Sequence, residues 1–257
     1  MTVPTQSQTN PETLACNSQK QKGQAKILIS KFSNCIYEAV TLAGENYVNA
    51  SKRKGISASV LRCRVAREAA VLLYFGAEKE YKQAKLKAAE ALRVHVLPTN
   101  LEVALELDKV AEENEGSARK ERLIRMRKEA LQIMKHLKAY HPVLIGSVWR
   151  GTIRRGSDID IAVYHDAVKE VITVLKKTNL DISSAEWVTV TKSGKPEASF
   201  HIHASTPSGQ QIEVVVRDAD EAGCKRKCEV FGDELTGLGV AELETLLEEN
   251  PAQKFIP

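Results

Sequence analysis

The chain has 257 residues with 43% hydrophobic and 27% charged residues and a formal net charge of +4, a composition typical of a globular protein with a buried core. No apolar run approaches the length needed to span a bilayer, and the N-terminus lacks the apolar region of a secretory signal. These features exclude a membrane protein of the helical type and predict a cytoplasmic location.

The first part of the chain combines a polar leader with a basic segment. Residues 1–24 are rich in Thr, Ser, Gln and Asn and are interpreted as a disordered leader. Residues 25–116 show mainly helical spacing of apolar residues and are interpreted as a basic helical domain. Residues 1–97 contain 15 Lys/Arg against 7 Asp/Glu, whereas the remaining 160 residues contain 22 against 26. The densest group of basic residues consists of Lys52, Arg53, Lys54, Arg62 and Arg64.

This charge asymmetry has two interpretations. One is a surface that binds RNA or DNA through phosphate contacts, and the other is a set of solvated helix faces. Few aromatic residues accompany the charges, which weakens the case for stacking on single-stranded bases. The five cysteines are scattered and odd in number, so we expect reduced thiols.

The pattern changes after a long charged helix. Thr99 or Asn100 is expected to cap a helix that ends at a turn over residues 114–117, and residues 117–140 are interpreted as a connecting helix. Residues 141–257 then show strand-like runs, a helix capped by Asp166, a hairpin and a short C-terminal helix. The predicted fold class is α+β, in which an all-helical domain precedes a mixed β-sheet with helices on one face.

The segment between two strand-like runs, residues 146–160, carries the clearest chemical signal. Asp158 and Asp160 stand at positions i and i+2 of a predicted strand, so both side chains point to one face. Two adjacent carboxylates repel each other and raise each other's proton affinity. A fold tolerates such a pair when a cation lies between them, and oxygen ligands suit Mg²⁺. The segment therefore predicts a metal and phosphate site.

A Gly-Ser pair, ten intervening residues and Asp-x-Asp together resemble the signature of the DNA polymerase beta-like nucleotidyltransferase superfamily. The matching positions are Gly146, Ser147, Gly151, Ser157, Asp158 and Asp160. The family has a third carboxylate on a later strand, and Glu213 fits because β-forming residues flank it. Asp218 and Asp220 are weaker alternatives for that position. The resemblance covers roughly residues 142–217, and the large helical region precedes this segment rather than following it.

The resemblance implies a division of roles among these residues. Asp158, Asp160 and Glu213 would be the catalytic metal ligands, for two Mg²⁺ ions or alternatively Mn²⁺. Gly146 and Ser147 would bind the phosphates of the NTP, with Arg150, Arg154 and Ser157 in the same loop as further contacts.

Several other residues have open interpretations. His201 and His203 share one strand face, which we read as an exposed polar face; if that face lines the site, one of them could contact nucleotide or shuttle a proton. Trp149 is more simply a packing residue than a base-stacking one. Tyr164 and Trp187 are expected in the core.

The sequence thus predicts a Mg²⁺-dependent, NTP-using enzyme, with ATP among the donors, that transfers a nucleoside monophosphate to an acceptor hydroxyl. RNA is the acceptor that the basic helices favour. One alternative is an antitoxin-like adenylyltransferase that modifies a partner protein. A second is a non-catalytic regulator that binds nucleic acid.

Overall fold

The computed structural model describes residues 57–192 and 195–257, and residues Ala58–Pro257 form one compact unit. The predicted leader, residues 1–24, and the basic residues Lys52, Arg53 and Lys54 lie outside the described residues. The helices are α1 (Ala58–Tyr74), α2 (Tyr81–Ala91), α3 (Asn100–His136), α4 (Gly146–Arg150), α5 (Val168–Leu175) and α6 (Val240–Glu249). The strands are β1 (Val143–Ile145), β2 (Ile159–Tyr164), β3 (Asp181–Lys192), β4 (Lys195–Ser205) and β5 (Gln211–Arg217).

The first three helices share a core built largely from small side chains. Alanines of α1 and α2 are fully buried against Val65, Leu73 and Val103. Small residues let helix axes approach closely, which explains why so few large side chains suffice here. The start of α3 is fixed by a capping box, in which the Thr99 hydroxyl accepts from the Glu102 N–H and the Glu102 carboxylate accepts from the Thr99 N–H.

Helix α3 consists of two helices that meet at Gly116. This residue has non-helical backbone angles (φ 54°, ψ −141°) in the middle of an otherwise continuous run from Asn100 to His136. Glycine adopts a positive φ at little cost, so the chain changes direction where the sequence predicts a turn. The proposed boundaries between residues 25–116, 117–140 and 141–257 remain predictions.

The five strands form one mixed sheet in the order β1-β2-β5-β4-β3. Strands β2 and β5 are parallel, and the other neighbours are antiparallel. Alternate residues such as Ile161, Val214 and Ile202 are fully buried against the second half of α3 and against α5 and α6. This confirms the α+β fold, the predicted hairpin of β4 and β5, and the placement of helices on one face.

Two local expectations are wrong. Asp166 does not cap α5, because Ala167 occupies the N-cap position and Oδ1 of Asp166 accepts a hydrogen bond from the N–H of Ala219. Trp187 is not in the core: it lies on β3 at the sheet edge, contacts the ring of Phe200 and is 62% exposed. Tyr164 is half-buried.

Among the described residues, no helix is both long enough and apolar enough to cross a membrane.

Candidate active site

Three carboxylates meet on the sheet face opposite the helical core. Asp160 of β2 and Glu213 of β5 are direct neighbours in the parallel register, and Asp158 immediately precedes β2. One carboxylate oxygen from each of the three residues lies within 4.8 Å of the others. The parallel pairing of β2 with β5 therefore assembles the three predicted acids. Asp218 and Asp220 lie beyond the end of β5 and are not part of this cluster.

The electrostatics of the cluster are those of a cation site. Burial, followed by repulsion from Asp158 and Glu213, raises the pKa of Asp160 to about 8. Within residues 57–192 and 195–257, no lysine or arginine forms an ion pair with Asp158 or Asp160. Closely spaced carboxylate oxygens without a protein cation match the ligand preference of Mg²⁺ and Mn²⁺. The residues present thus fit a divalent metal ion.

Gly146 lies directly against Asp160. Its φ is +70°, and an ideal Cβ built on it would lie only 1.9 Å from Oδ2 of Asp160. The preceding residue, Ile145, pairs with Asp160 across β1 and β2, which explains this proximity. A side chain at position 146 would occupy the space of the Asp160 carboxylate.

Ser147 follows in α4, a helix of five residues that begins beside the acids. The Ser147 carbonyl accepts hydrogen bonds from the N–H groups of Gly151 and Thr152, which closes the helix. So short a helix has only a small dipole, so an anion held here would depend on the Ser147 hydroxyl and on first-turn N–H groups.

A family model described as a nucleotidyltransferase domain matches residues 127–203. The chain contains a nucleotidyltransferase domain. The match covers fewer than a third of the 257 residues and includes Gly146, Ser147, Asp158 and Asp160, and it is consistent with the DNA polymerase beta-like superfamily. A comparison with curated protein sequences found no match. Because the matched segment ends before Glu213, the inclusion of this residue in the site depends on the sheet register.

Arg150 of the nucleotidyltransferase domain is not directed to the acids. Its guanidinium is buried, donates two hydrogen bonds to the Asp233 carboxylate (2.7 and 3.0 Å) and one to the Phe255 carbonyl. It also lies over the rings of Trp149 and Phe231, at 4.4 and 4.3 Å from the ring centroids. These contacts engage the Arg150 donors within the protein and do not support the predicted phosphate contact, which stays a prediction. Trp149 is itself buried and packs near Phe255.

Arg154 and Ser157 shape the loop between α4 and β2. The Ser157 hydroxyl accepts from the Arg154 N–H at 2.9 Å, and Nη1 of Arg154 donates to the Leu73 carbonyl at 2.8 Å. Both side chains thus hold the loop against itself and against the end of α1. Their predicted role in phosphate binding is not supported by these contacts and stays a prediction.

Arg127 is a structural residue that the sequence patterns did not single out. It is fully buried and donates to the carbonyls of Val148 and Trp149 in α4 and of Pro251 and Gln253 in the C-terminal segment. Burial without a carboxylate partner lowers its pKa to about 10. Arg127 thereby connects α3, α4 and the chain end, and no local sequence signal distinguishes it from the exposed arginines around it.

His201 also belongs to the site, although the sequence favoured an exposed polar face. Its Nδ1 lies 2.6 Å from Oε1 of Glu213, and its Nε2 lies 2.8 Å from Oγ of Ser199. His203 is more exposed, and its Nε2 is 3.9 Å from the same Glu213 oxygen. The alternation Ser-x-His-x-His indicated one shared face, but only the register of β4 against β5 places that face beside Glu213.

Of the five basic residues in the predicted group, the structure describes Arg62 and Arg64, and these two differ in their surroundings. Nε of Arg62 donates to Oε1 of Glu102 at 2.8 Å, whereas Arg64 is exposed. Other basic side chains of the helical region, among them Arg67 and Lys87, also pair with glutamates. Part of the positive charge in this region is therefore offset locally.

Proposed function

We propose that the protein is a Mg²⁺-dependent nucleotidyltransferase that moves a nucleoside monophosphate from an NTP to an acceptor hydroxyl. The proposal depends on one observation above all: Asp158, Asp160 and Glu213 converge within 4.8 Å. The nucleotidyltransferase domain supports the general reaction and the NTP donor. ATP is the donor we would test first.

The three acids would hold the metal. Asp158 and Asp160 would bind the ion on the triphosphate and share a second one, and Glu213 would complete the part of the site nearest the attacking hydroxyl. Bound Mg²⁺ would offset charge on the phosphate oxygens and lower the pKa of the attacking hydroxyl. Mn²⁺ would fit the same oxygen ligands.

The chain's own contribution to phosphate binding centres on two residues. Gly146 lets the backbone approach closely, because it carries no Cβ and adopts φ +70°. Ser147, the next residue in α4, offers a hydroxyl and a first-turn N–H. Within the described residues the Ser147 hydroxyl makes no hydrogen bond, so it is free to contact a phosphate oxygen.

RNA is the acceptor we favour. The support is the excess of basic residues in the first 97 positions and the exposure of Arg64. The pairing of Arg62 with Glu102 limits this support. A cytoplasmic location, which the sequence predicts, would give the enzyme access to RNA.

The acceptor can be tested by incubating the full chain with each α-labelled NTP, Mg²⁺ and either pooled RNA or cell lysate. Label on RNA that requires Asp158 and Asp160 would support the proposal in full. Label on a protein band would replace RNA with a protein acceptor. Label transferred equally by the Asp158→Ala/Asp160→Ala protein would contradict the assigned site. A salt-sensitive gel shift that weakens in an Arg64→Gln variant would support RNA binding, and an unchanged shift would count against a role for Arg64.

A further inference from the structure

The side chain of Glu213 is anchored by a chain of two hydrogen bonds. Nδ1 of His201 is 2.6 Å from Oε1 of Glu213, and the opposite ring nitrogen is 2.8 Å from the Ser199 hydroxyl. Because an ionised carboxylate only accepts hydrogen bonds, Nδ1 of His201 carries the proton and donates it. Ser199 is only 5% exposed, so its hydroxyl holds the ring from a fixed position.

Glu213 needs such an anchor for two physical reasons. A glutamate side chain has three rotatable bonds, so ordering it costs conformational entropy. Its carboxylate also faces those of Asp158 and Asp160, and like charges at this separation repel. In the metal-free protein this repulsion favours rotamers that carry the carboxylate away from the cluster. The hydrogen bond between Nδ1 of His201 and Oε1 fixes one rotamer of Glu213 and so opposes that movement.

We infer that His201 is a positioning residue that holds Oε1 of Glu213 and thereby directs Oε2 to the metal ion and the attacking hydroxyl. This inference rests on the proposed function. Within the described parts of the chain, no donor contacts Oε2 of Glu213. Both ring nitrogens of His201 are engaged, so the residue acts through Glu213 rather than as a metal ligand.

His203 provides a matched control on the same strand and face. Its side chain is 42% exposed, against 19% for His201, and its Nε2 is 3.9 Å from Oε1 of Glu213, which is beyond hydrogen-bond distance. Removing the His203 imidazole therefore changes the bulk and polarity near the acids without removing the anchor. Comparing the two histidine variants therefore isolates the effect of the hydrogen bond between His201 and Glu213.

The test is the affinity of the full, nucleotide-free protein for Mn²⁺, measured by titration calorimetry. Because partners that orient metal ligands typically contribute about 10–100-fold in affinity, we expect a loss of that size in His201→Leu. Asparagine at this position places an amide N–H near the site of Nδ1, so His201→Asn should recover most of the affinity. Ser199→Ala should weaken binding by a smaller factor, and His203→Leu should bind like the wild type. The melting temperature of each metal-free variant shows whether it is folded.

The outcomes separate this inference from the function on which it rests. If the wild type binds Mn²⁺ and Asp160→Asn does not, the metal site stands. Wild-type affinity in His201→Leu would then overturn the positioning role alone, as would equal losses in His201→Leu and His203→Leu. If His201→Leu does not fold, the other two variants decide. The positioning role of His201 is overturned if Ser199→Ala binds Mn²⁺ as tightly as the wild type and His201→Asn loses all binding. If the wild type itself binds no Mn²⁺, the proposed function and the inference both fail.

Discussion

The Cα of Gly146 and the carboxylate of Asp160 are in such close contact that an ideal Cβ on the glycine would lie 1.9 Å from Oδ2. This contact couples the turn after β1 to the central acid of β2. It explains in steric terms why the motif begins with glycine, in addition to the permissive backbone angle of φ +70°. The proposed phosphate-binding turn and the proposed metal ligands are thus parts of one packed unit.

The first prediction concerns a methyl group at position 146. In Gly146→Ala the new Cβ forces the Asp160 carboxylate to rotate, so Mn²⁺ affinity and nucleotidyl transfer should both be lost. The positive φ should add roughly 1–2 kcal/mol of destabilisation. The measurements are Mn²⁺ titration and urea unfolding.

Gly156→Ala is the matched control for that variant. Gly156 lies in the loop between α4 and β2 with φ +79°, but nothing lies within 4 Å of its ideal Cβ. Gly156→Ala should lose only the stability that the positive φ costs, whereas Gly146→Ala should also lose metal binding. Equal losses of metal binding would show that backbone strain, and not the contact with Asp160, is responsible.

The second prediction is a pH dependence of stability without metal. Asp160 has a pKa of about 8 in the folded protein, raised from a value of 3.8. At pH values between these two pKa values, the folded state binds more protons than the unfolded state. The free energy of unfolding should therefore fall as the pH rises and level off above a pH of about 8. Asp160→Asn should flatten this dependence and be more stable than the wild type at pH 9.

Urea unfolding in EDTA at several pH values measures this effect. Added Mg²⁺ should stabilise the wild type most at the alkaline end, because the ion replaces the proton on the cluster. Wild-type and Asp160→Asn proteins with the same slope of stability against pH would contradict the assigned pKa.

The third prediction separates a structural Arg150 from a phosphate-binding one. Breaking its buried pair with Asp233 should cost about 3 kcal/mol in either Arg150→Met or Asp233→Asn, because each leaves an uncompensated partner. The Michaelis constant for NTP should stay near the wild-type value in the folded fraction of both proteins. A large rise of that constant in Arg150→Met, but not in Asp233→Asn, would restore the phosphate role.

The fourth prediction concerns the C-terminal segment. Ending the chain after Asn250 removes two of the four carbonyl acceptors of Arg127 and the Phe255 ring that packs near Trp149. A buried arginine with missing acceptors destabilises the fold, so the melting temperature should drop. Ending the chain after Phe255 keeps all of these contacts and should leave the melting temperature unchanged. A similar drop in both truncations would refute the proposed role of Arg127.

Much of the site follows from local sequence. The spacing of Asp158 and Asp160, the Gly-Ser pair and the β-forming residues around Glu213 are short-range patterns, and each predicted the correct element. The capping box at Thr99 and the turn at Gly116 are also local, and both are present. Such features depend on a few adjacent residues, which is why sequence alone reveals them.

The rest depends on contacts between residues far apart in the chain. In the sequence Arg150 resembles a solvent-exposed cation, and only the fold places Asp233 and the Phe255 carbonyl within hydrogen-bond distance of it. His201 joins the site only through the register of β4 on β5. Trp187 is exposed because β3 lies at the sheet edge, which its apolar character does not indicate. Contacts between distant parts of the chain determine the surroundings of all three residues.

The most direct measurement of the central claim is a comparison of two labels on the same NTP. The full chain is incubated with Mg²⁺, RNA and NTP labelled either at the α-phosphate or at the γ-phosphate. We predict that the α label becomes attached to the acceptor while the γ label is released as pyrophosphate, and that both events are lost in Asp158→Ala/Asp160→Ala. Attachment of the γ label, or α-label transfer that persists in the double variant, would contradict nucleotidyl transfer at these carboxylates.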